Sequence, residues 1–138
     1  MDKINFINGN QPAVNDTNLN QLQANIENAI NGTVLYESEN GTVGEITLLE
    51  DASNFKFLEI YFQNIDGIVS SQKTVYTTKN IILDITVVGS SQIFVSNAGI
   101  AIDGNKITWK WNRRGNSWNS YTDDGQAIRI LKVIGYKG

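Results

Sequence analysis

The period of the apolar residues changes once, near residue 32, and that change confines the chain to a mostly β fold preceded by one helix. Between residues 16 and 31, Leu19, Leu22, Ile26 and Ala29 recur at spacings of three, four and three, with Ile30 beside them. That spacing lays them along one stripe of an α-helix. From residue 33 onward the helical period gives way to short apolar runs, and Asn40-Gly41, Asp66-Gly67, Asp103-Gly104 and Asp124-Gly125 fall between those runs. These dipeptides take positive φ at low cost and suit hairpin turns. The pattern predicts nine strands, at 33–37, 43–49, 55–63, 73–77, 81–88, 92–96, 99–102, 106–112 and 127–136. Together they make an antiparallel, jelly-roll-like β-sandwich.

The parity within the runs says which strands have a wet face. Ile81, Leu83, Ile85 and Val87 share one parity, with Asp84 and Thr86 on the other, so 81–88 is an outer strand with one buried side. In 55–63, Phe57 and Tyr61 alternate with Leu58, Ile60 and Phe62, and 127–136 is apolar on both parities as well. A strand apolar on both sides needs cover on both, from a second sheet and then from a helix, a loop or another subunit.

The helix needs cover too. Asp16 or Thr17 can cap its start and Asn31-Gly32 can end it, yet its other face is mostly amides and a helix this short is marginal alone in water. Two arrangements satisfy it: packing on its own β domain, or association of Leu19, Leu22, Ile26 and Ile30 with the same stripe of other copies. The expected organisation is an N-terminal segment and oligomerisation helix over 1–31, then a β-sandwich head over 33–138. A chain of 138 residues is long enough for one such core.

Composition removes whole classes of chemistry. The chain has no Cys and no His, which takes away thiol nucleophiles, imidazole bases and the usual zinc ligands. Eleven Lys and Arg against fourteen Asp and Glu give a net charge of −3, and the basic residues are scattered apart from Arg113 and Arg114, so no stripe is set to neutralise a phosphate backbone. Nucleic acid is not an expected partner, nor is membrane insertion, and no signal peptide is read at the start. No phosphate-binding loop, nucleophile elbow or calcium loop appears, so neither cofactor nor metal nor catalytic residue is expected. The Asp103 and Asp123-Asp124 carboxylates sit on turn signals that favour Asp for geometry alone.

The stretch with the most functional character carries Trp109, Trp111, Trp118 and Tyr121 beside Arg113, Arg114, Asp123 and Asp124. Indole and phenol faces stack on sugar rings, and guanidinium or carboxylate groups bond the hydroxyls at their edges. Ile107, Trp109 and Trp111 share one strand parity, which favours a core role for those two tryptophans. Trp118 and Tyr121, set among Gly, Asn and Ser, are the better ligand candidates, with Arg113, Arg114 and Asp123 beside them.

Two segments resemble a known group. The opening Ile4-Asn5-Phe6, Asn8-Gly9, Pro12 and Asn15-Asp16-Thr17-Asn18-Leu19-Asn20 resembles the start of tail-fibre and baseplate receptor-binding proteins from phages and prophages of Gram-positive bacteria. The ending, 128–137, is similar to the last strand of their β-sandwich heads. The resemblance implies a virion protein of the tail or baseplate, made in the host cytoplasm and assembled with other tail proteins. It further implies a homotrimer whose head contacts a cell-wall saccharide. The chain departs from a full fibre in having no shaft and no collagen-like repeat. A free-standing carbohydrate-binding module is the alternative, and a polysaccharide-degrading tail enzyme ranks last.

Overall fold

A computed structural model describes residues 16–76, 80–116, 122–123 and 125–138, with the last four helical residues described by backbone alone. Helix α1 spans Asp16–Asn31, and eight strands follow among the described residues: β1 Thr33–Thr42, β2 Ile46–Thr47, β3 Phe57–Asn64, β4 Val69–Val75, β5 Ile81–Val88, β6 Ile93–Asp103, β7 Lys106–Asn116 and β8 Ile128–Tyr136. They form two four-stranded sheets, β1-β8-β3-β4 and β2-β7-β6-β5, with every pairing antiparallel. The pairings of β1 with β8 and β2 with β7 nest as in a jelly roll. The inner strands instead close as two consecutive hairpins, β3 with β4 and β5 with β6.

One apolar cluster joins the sheets. Leu35, Leu58, Ile60, Phe62, Ile128, Ile130 and Val133 from the first sheet meet Ile46, Ile81, Leu83, Ile85, Ala98, Ile100, Ile102 and Ile107 from the second, all buried. Each such Leu, Ile or Phe contributes roughly 1.5–3 kcal/mol by leaving water. The parity read from the sequence for 81–88 is the observed one: Ile81, Leu83 and Ile85 point inward and Ile82, Asp84 and Thr86 outward, on a strand at the edge of its sheet.

Several expected boundaries move. Asn40-Gly41 is not a hairpin but lies inside β1, in an irregularity of its pairing with β8 between Glu37 and Thr42. The runs 92–96 and 99–102 are one strand, because Asn97 and Ala98 continue the ladder opposite Asp84 and Leu83. Gly125 belongs to the crossover from β7 to β8, which lie in different sheets, so no hairpin forms there. Asp66-Gly67 and Asp103-Gly104 do close hairpins. At the first, the buried Asn64 side chain accepts bonds from the Asp66 and Ile68 backbone N–H groups at 3.0 and 2.9 Å.

The helix leads into β1 through Gly32 and meets β8. Leu19 and Ile26 stay 48% and 40% exposed and Leu22 is half-buried, so the described part of the stripe is not covered by its own domain. Ile30 keeps its helical place, but its side chain is outside the described set, as are residues 1–15, which hold most of the opening segment.

Candidate functional site

The stretch singled out in the sequence does not form one cluster, because strand geometry divides it. Gly99 pairs with Trp111 and Ile100 with Trp109, leaving Lys110 as an extra residue in β7. A bulge of one residue reverses the parity that follows it. Trp109 therefore packs against the core, its indole N–H donating to the Gly44 carbonyl at 2.8 Å. Trp111 turns to the outer face of the second sheet. The shared parity predicted for the two tryptophans fails at this bulge.

On that outer face the Trp111 ring lies directly over Gly99. A Cβ at residue 99 would stand 2.5 Å from the ring, so only glycine admits the indole there. Asn97 Oδ1 accepts from Trp111 Nε1 at 3.0 Å and from Arg113 Nε at 3.1 Å, and the Arg113 guanidinium lies 5.4 Å from the indole centroid. One amide oxygen thus fixes both side chains, and the indole with its cation gains the quadrupole attraction of such pairs.

Arg114, the next residue, pairs with Ser96 and takes the opposite parity, at the open end of the sandwich. There it lines a cavity of about 350 Å³ with Ile65 and Asp66 of the β3–β4 turn, Phe94 and Ser96 of β6, and Asn116 and Thr122. Arg113 and Arg114 therefore serve two separate surfaces. Phe94 and Ile65 are 41% and 44% exposed, giving the cavity apolar surface next to a guanidinium, a carboxylate, an amide and two hydroxyls.

Asp123 is exposed and has a structural bond of its own. Its Oδ1 accepts the Asn112 backbone N–H at 3.2 Å and so holds the crossover to the end of β7. Thr122 reinforces that link by pairing with Arg114 through two backbone bonds of 2.6 and 3.0 Å. Trp118, Tyr121 and Asp124 lie outside the described residues. The flanks of the 117–121 stretch, Asn116 and Thr122, both line the cavity.

No family model, curated protein or solved structure matches the chain. The site thus rests on its own geometry. Sequence reasoning nominated Arg113, Arg114, Trp118, Tyr121 and Asp123, of which Arg114 lines the cavity, and missed Asn116 and Thr122 beside that stretch as well as Ile65, Asp66, Phe94 and Ser96. Asp66 was legible only as a turn residue, and Ile65 and Asp66 lie about thirty residues before Phe94 and Ser96 and meet them by sheet packing. Among the described residues no helix is long and apolar enough to cross a membrane.

Proposed function

We propose that this chain is a non-enzymatic attachment subunit that binds a surface saccharide at the open end of its sandwich and acts in several copies. The setting is a phage or prophage tail or baseplate, in keeping with the resemblance of its two ends to such proteins. The observation that carries the binding role is the end cavity. Its volume falls in the range of small-ligand sites, and its lining pairs exposed apolar surface with Arg114, Asp66, Asn116, Ser96 and Thr122. A sugar ring presents that combination, an apolar C–H face with hydroxyls around its edge. Arg114 donates and Asp66 accepts, so both polarities of a hydroxyl are met.

Weak single sites suit a multivalent device, since linked copies gain avidity without stronger individual contacts. The half-exposed Leu19, Leu22 and Ile26 supply the surface that would gather copies, with a trimer as the expected state.

A free-standing carbohydrate-binding module is the second reading. It is favoured by the core cluster, which includes no described side chain of α1.

The test is binding of the whole chain to arrayed oligomers of glucose, galactose, rhamnose and N-acetylglucosamine, followed by calorimetry on whichever binds. Arg114→Ala and Asp66→Ala each weaken binding tenfold or more, about 1.4 kcal/mol. Binding that survives both changes removes the cavity from the function.

A further inference from the structure

A second group of side chains with binding character lies on the outer face of the first sheet, remote in sequence from the arginine-tryptophan stretch. At its centre is Glu59 of β3. The Tyr61 and Tyr136 hydroxyls both donate to Glu59 Oε1, each at 3.0 Å, which leaves Oε2 without a partner among the described residues. Beside the cluster runs an open groove of about 620 Å³, with Tyr61, Val69, Leu131 and Ile134 as its apolar lining and Glu37, Glu39 and Lys132 as charged lining.

The cation that could neutralise Glu59 is turned elsewhere. Lys73 is the register partner of Glu59 across β3 and β4, yet its ammonium lies over the Tyr136 ring at 4.6 Å and the Phe57 ring at 5.5 Å and makes no ion pair with the carboxylate. Lys132 stands opposite Tyr61 and reaches Glu37 at 4.0 Å. The result is a carboxylate oriented by two phenols, with one oxygen open, next to a tyrosine ring in the groove wall. Hydrogen bonding to Glu59 also keeps the Tyr61 phenol protonated to higher pH than usual, so it remains a donor.

We propose that Tyr61, Glu59 and Tyr136 form a second binding site, for a polyhydroxylated ring such as a pyranose of the same surface polymer. The C–H face of the ring lies on Tyr61 in the groove, adjacent hydroxyls donate to Glu59 Oε2, and Lys132 donates to a ring hydroxyl at the rim. The neutral partner is favoured over a free anion because Glu37, Glu39 and Glu59 repel one, and over a bare cation because the groove also presents the Tyr61 ring, Val69, Leu131 and the Lys132 ammonium, none of which a bare cation would use. The inference rests on the saccharide reading for its ligand class, but not on the end cavity.

The experiment is amide NMR of the whole chain titrated with soluble hexamers of glucose, galactose and N-acetylglucosamine, in the wild type and in Arg114→Ala, Glu59→Gln and Tyr61→Ala. Saturable shifts at residues 59–61 and 131–134 that persist in Arg114→Ala, and weaken tenfold or more in both Glu59→Gln and Tyr61→Ala, are the expected result. Glu59→Gln keeps the size of the side chain and an acceptor for the phenols, so an unchanged spectrum elsewhere shows that the fold is intact. If only residues around Arg114 respond, or the two cluster variants bind as tightly as wild type, the second site is overturned while the saccharide reading stands. If neither region responds to any hexamer, both fall.

Discussion

The Asn112 side chain pairs with the backbone of Ile128 as a neighbouring strand would, accepting its N–H at 2.8 Å and donating to its carbonyl at 2.8 Å. The same amide donates to the Gly125 carbonyl at 3.0 Å, and Asn112 is only 3% exposed. The pairing of β1 with β8 stops at Thr42 and Ile130, so no β1 residue reaches Ile128, and this one side chain takes the place of a strand. Asn112→Ala leaves a buried N–H and a buried C=O unpaired, and each such loss costs about 1–3 kcal/mol. The expected outcome is a loss of roughly 2–4 kcal/mol in denaturant unfolding, and Asn112→Asp is at least as costly, because its buried carboxylate keeps the acceptor for the Ile128 N–H but faces the Ile128 and Gly125 carbonyls with no donor for them.

Gly99→Ala places a methyl 2.5 Å from the Trp111 ring and expels the indole from the sheet face. Overpacking of this kind costs about 1–3 kcal/mol. Near-ultraviolet circular dichroism loses the Trp111 contribution, and in a Trp111→Phe background the same change has a smaller spectral effect.

Gly41 and Gly67 both have φ of +81°, but they differ in surroundings. A Cβ on Gly67 meets nothing within 4 Å, whereas one on Gly41 stands 2.6 Å from the Arg129 Cβ. Gly67→Ala costs about 1 kcal/mol for backbone conformation alone. Gly41→Ala costs more than twice that, as read from the shift in unfolding midpoint.

Stability at alkaline pH depends on the Glu59 cluster. The bond to Glu59 raises the Tyr61 phenol above its ordinary value near 10, and burial followed by the bond to Glu59 raises that of Tyr136. A group whose folded value is raised contributes fully below its unfolded value and loses that contribution as pH rises through the folded one. Unfolding free energy therefore declines from about pH 10 upward. The decline is shallower in the double variant Tyr61→Phe with Tyr136→Phe; an identical slope would remove the tyrosines as its cause.

Light scattering on the intact chain tests the helix. A mass three times that of the chain in wild type, reduced to one chain in Leu22→Asp, is the expected result, since an aspartate on the half-exposed stripe leaves the core untouched. A single chain in both supports the free-standing module.

What the sequence determined by itself is what depends on local period. The helix at 16–31, the inward set Ile81, Leu83 and Ile85, the two-sided apolar character of β3 and β8, and the Asp66-Gly67 and Asp103-Gly104 hairpins all follow from spacing and turn chemistry within a few residues. Tertiary structure alone decided which side chains share a surface. Side chains on a strand repeat every two residues, so the extra residue Lys110 moves Trp111 to the opposite face from Trp109, and the strict alternation beyond it sends Arg113 and Arg114 apart. The end cavity and the Glu59 cluster unite residues from distant strands, Asp66 with Arg114 and Glu59 with Tyr136, and their meeting is set by the order of strands in each sheet, a long-range property that no local pattern encodes.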